Sequence, residues 1–214
     1  MSPALAVHLG IERFTLRCGA RLLVSSRPGA PVTAIQMHLR GGHSLDPAGR
    51  EGTALLAGGL LDQGTAKHSE EQIADALETH GGTLSGESNG VSGTIAAPHW
   101  KLLLELFGEL VTSPSYPNTE FRRQRTRLLD RLLIERDDPR AQGDQLFRRL
   151  VFGDHWLGKS ASGTIESVKR IERGHVLRFH REHWLARRAV IAVCGDVDPQ
   201  AVRKVLDRAL AKWT

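Results

Sequence analysis

The sequence is short of cysteine and of aromatic side chains. Only two cysteines, Cys18 and Cys194, occur in 214 residues, far apart along the chain. That excludes a disulfide framework, and both are expected as small core residues in strand-like stretches. Aromatic residues make up 5% of the chain, so base-stacking platforms of the kind that bind single-stranded nucleic acid have little to be built from. Nine arginines between residues 122 and 149 are interleaved with leucines at helical spacing, which predicts a solvated helix face rather than a nucleic-acid surface. No apolar run approaches the roughly 18 residues of a membrane span. The start, "MSPALAVHLGIERF", has neither the basic region nor the long apolar stretch of a signal peptide. A soluble protein of the cytoplasm or periplasm is expected. Nucleophile elbows and lysine-bearing phosphate loops are missing too.

What is present is an ordinary globular composition, 40% apolar and 25% charged, with a net charge of +5. "RFTLRCGARLLVSS" reads as two strands with a turn at Cys18–Gly19. In "VTAIQMHLRGG", Thr33, Ile35, Met37 and Leu39 alternate against polar neighbours, a half-buried strand. Ser69 caps a helix over 69–80, Gln72 completes a capping box, and Gly81 ends it. "GGTLSGESNG" and "VSGTIAAP" predict two strands. Helices follow over "HWKLLLELFGELVTS", 119–138, "QGDQLFRRLVF" and 165–184. "RRAVIAVCGDVD" is a buried strand, and Asp198 with Pro199 starts the last helix. Strands and helices are grouped, not alternating. The fold class expected is α+β, a largely antiparallel sheet with helices packed on one face, in a single domain over 1–214.

One stretch resists this reading. "GTALLAGGLLDQGT" has a helical rhythm, yet Gly58 and Gly59 stand together in its middle, each costing about 1 kcal/mol relative to alanine. Elsewhere, His180 and His183 in "HREH" could share a metal, but no third ligand is evident nearby, so a structural role is expected. His43, His68, His80 and His155 read as surface or capping residues, and "SASGT" as a loop and helix cap.

Taken together, "LRGGHSLDPAGREGTA", "LLDQGTAKHS", "LETHGGTLSGESN", "ERDDPRAQ", "LVFGDHWLGKSASGT" and "AVCGDVDPQAVRKVL" resemble, in order and spacing, the N-terminal domain of the pitrilysin/insulinase family of zinc peptidases, which includes the mitochondrial processing peptidase. The resemblance implies the first of two halves of similar size. Active members carry His-x-x-Glu-His within Gly-Leu-Ala-His-x-x-Glu-His-x-x-x-x-Gly-Thr. Two imidazoles on one helix face hold zinc, and the glutamate takes a proton from the zinc-bound water. With Gly52 and Gly64–Thr65 laid on the ends of that pattern, Leu55, Gly58 and Gly59 occupy the three positions, and none can ligate metal or move a proton. The third ligand should lie between Asp130 and Glu135 on the long helix, in a register the sequence leaves open. The glycines are expected to leave space where imidazole and carboxylate would sit.

The resemblance thus implies a non-catalytic domain of a two-part metallopeptidase, without catalytic, metal or cofactor residues of its own. Its partner would be a homologous zinc-bearing subunit or half, with a peptide substrate held between them, and weak self-association of the isolated chain is expected. In active relatives the strand matching Gly82, Thr83, Leu84, Ser85 and Gly86 lies beside the cleft, where a peptide can add to its edge. The plainer alternative is a sheet strand whose small residues suit helix packing. Two rival functions stay open: a structural or assembly protein derived from the family, and a peptidase with a relocated metal site.

Overall fold

The computed structural model describes residues 10–213. The signal-peptide reading of residues 1–9 and the domain assignment of residue 214 lie outside them. Six strands form one sheet in the order β1-β2-β6-β3-β5-β4. They are β1 (Ile11–Thr15), β2 (Arg21–Ser26), β3 (Val32–Leu39), β4 (Thr83–Glu87), β5 (Gly90–Ala96) and β6 (Ala189–Gly195). Only β2 and β6 pair in parallel; the other pairings are antiparallel.

The alternation in β3 sets the sheet's buried face. Ile35 sits opposite Val193 of β6 and Gly93 of β5. Val193 in turn meets Val24 of β2, and Gly93 meets Leu84 of β4. This row crosses five strands with every side chain on the core side. The opposite face carries small and polar groups, among them Gln36, Thr83, Ser85 and Thr94, all exposed.

Eight α-helices are described: α1 (Thr53–Gly58), α2 (Glu70–Glu78), α3 (Trp100–Thr112), α4 (Asn118–Asp137), α5 (Pro139–Phe152), α6 (Ile165–Lys169), α7 (Arg173–His183) and α8 (Pro199–Ala209). Helices α1 and α2 pack under β4, α3 under β5, and α8 under β2. The Ser69 capping box and the Asp198 cap form as their sequences require. The α+β architecture expected from the grouping of elements is the one observed.

Three expectations change. The single helix over 165–184 is two, because the chain turns out of α6 at Arg170, and Glu172 starts α7 with its own capping box. The helix expected throughout "GTALLAGGLLDQGT" is only six residues long and stops at Gly58. Neither cysteine is a core residue. Cys18 lies in the β1–β2 turn and is half-buried, while Cys194 points to the open face of β6 and is exposed.

Candidate functional site

Helix α1 is too short to be stable alone and is held at both ends by other segments. At its start, Asp46 accepts the N–H groups of Gly52 at 2.8 Å and Ala54 at 2.7 Å. These are orphan donors of a first turn, satisfied by a carboxylate from outside the helix. Burial pushes the Asp46 carboxyl up to about 6, although the two N–H groups pull it down. At the other end, the buried Tyr116 donates its hydroxyl to the Ala57 carbonyl at 3.1 Å. His180 lies edge-on to Tyr116, stacks on Trp184 and bonds the Val111 carbonyl through Nε2 at 3.1 Å. Burial drives its imidazole down to about 4. His183 packs against the Phe179 ring instead, so the two histidines are occupied separately.

The three motif positions part company. Gly58 is buried against the β4–β5 hairpin: a Cβ there would stand 1.9 Å from the Glu87 carbonyl oxygen. A Cβ on Gly86 of β4 would lie 2.2 Å from the Gly58 carbonyl oxygen. Two backbones therefore touch at the position that the resemblance laid on the pattern's glutamate. The expected empty space at Gly58 is not there, and the position is glycine because nothing larger fits. Gly59 is the opposite case. It is exposed, its φ is an ordinary −69°, and an added Cβ would meet only the Leu55 carbonyl oxygen, at 3.3 Å.

Leu55 and Gly59 face a cavity of about 280 Å³ between α1 and α4, floored by Leu56 and Leu128. Its α4 wall carries Gln124, Arg127 and Arg131. Asp130 is exposed on another side of α4. Glu135 lies a turn further on, paired with Arg131 at 3.5 Å and lining a separate cavity against α5. Zinc does not fit this donor set, because a carboxamide and two guanidinium cations offer it neither imidazole, thiolate nor carboxylate. Among the described residues, no group of three or more His, Cys, Asp or Glu could hold a metal. Sequence reasoning missed Gln124, Arg127 and Arg131. Their helical spacing was visible, but which face of α4 meets α1 depends on tertiary packing.

The strand singled out for peptide binding is the sheet's edge. Strand β4 pairs with β5 on one side and ends the order on the other. Leu84 points into the core, Thr83 and Ser85 point to the open face, and Gly86 is the residue that meets Gly58. Gly82 lies just before the strand, its N–H bonded to the Leu77 carbonyl at 2.8 Å. In "SASGT", Ser162 accepts a hydrogen bond from Arg131 at 2.9 Å and Thr164 caps α6. His43 packs edge-on to Trp156, and burial, reinforced by the Arg148 charge, lowers its pKa. His68 meets Glu109 through Nδ1 at 2.8 Å.

A family model described as "Peptidase M16 inactive domain" matches residues 170–214. Curated relatives include an uncharacterized zinc protease of Mycobacterium leprae (strain TN), 26% identical over 193 residues, covering 88% of this chain and 43% of that one. An uncharacterized zinc protease of Streptomyces coelicolor is 23% identical over 206 residues, covering 94% and 45%. The chain spans about half the length of these relatives. Among solved structures, a peptidase M16 inactive domain from Pseudomonas fluorescens superposes with a TM-score of 0.87 at 21% identity, covering 96% of this chain and 51% of that one. Pitrilysin superposes at 0.81 with 15% identity, over 95% and 23%. At these identities the superpositions show the fold.

Proposed function

Because the chain is a relative of the M16 zinc proteases and carries the fold of their inactive domain, we propose that it is the non-catalytic part of a two-part zinc metallopeptidase. In this reading a homologous zinc-bearing subunit or half supplies the chemistry. This chain closes the chamber and offers the β4 edge to an extended peptide, whose backbone would pair along Thr83–Glu87.

One observation carries the partnership. Of the large hydrophobic residues exposed among the described residues, all but Val32 fall between 133 and 157. They lie on the end of α4, on α5 and on the 3-10 turn Trp156–Gly158. Helix α5 buries none of its 14 residues, yet it presents Leu146, Phe147, Leu150 and Val151. Exposed apolar side chains concentrated in this one stretch support a surface that another protein covers. The chain's relatives carry about as much sequence again as this chain matches.

The test is to co-express the chain with a homologue bearing intact His-x-x-Glu-His, and to measure complex formation and peptide cleavage. A complex that cleaves, and that is lost on Leu150→Asp with Phe147→Asp, supports the proposal. A complex without any gain in cleavage favours the structural or assembly role. Stoichiometric zinc in the isolated chain, lost together with activity on chelation, favours the relocated metal site.

A further inference from the structure

The cavity between α1 and α4 is mismatched to a cation but is not featureless. Its floor is aliphatic: Leu55, Leu56 and Leu128. Its wall is cationic, because Arg127 and Arg131, four residues apart, share one face of α4. No carboxylate among the described residues lines it. Among the described residues, Arg127 makes no hydrogen bond or ion pair. Arg131 is braced from one side, its Nη2 on Ser162 Oγ at 2.9 Å and its Nε 3.5 Å from Glu135. Gln124, one turn before Leu128, adds a carboxamide that can donate and accept.

We propose that this cavity binds the C-terminal residue of a peptide, with a branched aliphatic side chain on the leucine floor and its carboxylate on Arg127 and Arg131. Guanidinium forks match carboxylate geometry. An inorganic anion would satisfy the arginines but leave the leucine floor wet. A plain hydrocarbon would leave the arginines unanswered. The volume of about 280 Å³ lies just under the range of sites for drug-sized ligands and suits a single residue. Gly59 also lines the cavity and adds no side chain to it. The inference concerns this chain alone, and it holds or fails independently of a zinc-bearing partner.

Titration calorimetry on the full chain tests it with four probes: a peptide ending in leucine with a free carboxylate, the same peptide amidated, N-acetyl-leucine and acetate. The free-acid peptide and N-acetyl-leucine, which present the same terminal residue, are expected to bind at least tenfold more tightly than the amidated peptide and acetate. Arg127→Ala should weaken it tenfold or more, and Arg131→Lys should retain part of the affinity. Gly59→Leu should fill the cavity and abolish binding while the melting temperature stays within a few degrees of the parent. Equal binding of acid and amide overturns the proposal, as does binding that survives Gly59→Leu. Acetate binding as tightly as the peptide reassigns the site to small anions and overturns the peptide assignment.

Discussion

Two regions of this molecule stand at opposite limits of packing. At the seam between α1 and the β4–β5 hairpin, the Gly58 and Gly86 backbones approach so closely that neither position has room for a methyl group. On α5, Leu146, Phe147, Leu150 and Val151 all leave most of their surface exposed. The contrast is not one of helix quality. Helix α3, 13 residues long, buries seven of them, whereas α5, 14 residues long, buries none. A chain that can exclude a single methyl at one seam does not leave a leucine-rich helix bare for want of packing ability. The seam is closed by this chain's own backbone, whereas α5 leaves its apolar side chains exposed.

The sharpest test of that contrast compares like substitutions in the two regions. Leu110→Ala in α3, where the side chain is fully buried, is expected to cost about 2–5 kcal/mol. Leu150→Ala in α5, where it is 77% exposed, should change stability by less than about 0.5 kcal/mol. Equal losses in urea melts would mean that α5 is packed in solution.

Next in size is the seam itself. Gly58→Ala and Gly86→Ala should each destabilise by about 1–3 kcal/mol or more, because the obstacle is backbone and cannot rotate away. A neutral thermal melt for Gly58→Ala would contradict the close contact.

The ends of α1 supply a smaller effect that depends on pH. His180 has its pKa lowered to about 4, so the stability it confers is complete above the unfolded value of 6.5 and is lost as pH falls toward 4. Asp46 has its pKa raised to about 6 from 3.8, so its contribution runs the other way, complete below 3.8 and lost as pH rises through 6. Between pH 4 and 6 the two oppose each other, each by on the order of 1–2 kcal/mol. Asp46→Asn should therefore leave a protein that weakens on acidification, and His180→Asn one that strengthens. Urea midpoints across that window read the slopes directly, and slopes of the same sign would refute the assignment.

The smallest change is expected at Gly59. Gly59→Ala should be neutral or stabilise by up to about 1 kcal/mol, since φ is −69° and the added Cβ meets only the Leu55 carbonyl oxygen, at 3.3 Å, which has to give by a few tenths of an ångström. Its contrast with Gly58→Ala separates two glycines that are adjacent in sequence and opposite in cause.

Much of this was legible in the sequence. Residue alternation in β3, the Ser69 capping box, the Asp198-Pro199 start of α8 and the grouped order of elements depend on near neighbours, and local chemistry settles them. The ordered landmarks placed the fold. Other features were not readable in this way. The pairing of α1 with β4 joins Gly58 to Gly86 across 28 positions, so the reason for Gly58 lies in a strand and not in its own helix. The face of α4 turned to α1 puts Arg127 and Arg131, rather than Asp130, at the cavity. The helix over "QGDQLFRRLVF" was readable, but a helical stretch does not itself say whether its apolar residues are covered.

The sequence by itself determined where the strands and most helices run, which sheet face is apolar, and that Leu55, Gly58 and Gly59 cannot bind zinc or move a proton. These follow from periods of two and 3.6 residues and from the atoms each side chain owns. Only the tertiary structure decided that Gly58 is a contact and Gly59 an opening, that two arginines face the leucines, and that α5 stays bare. Each of these depends on which distant backbone comes to rest against which, and a linear pattern carries no record of that distance.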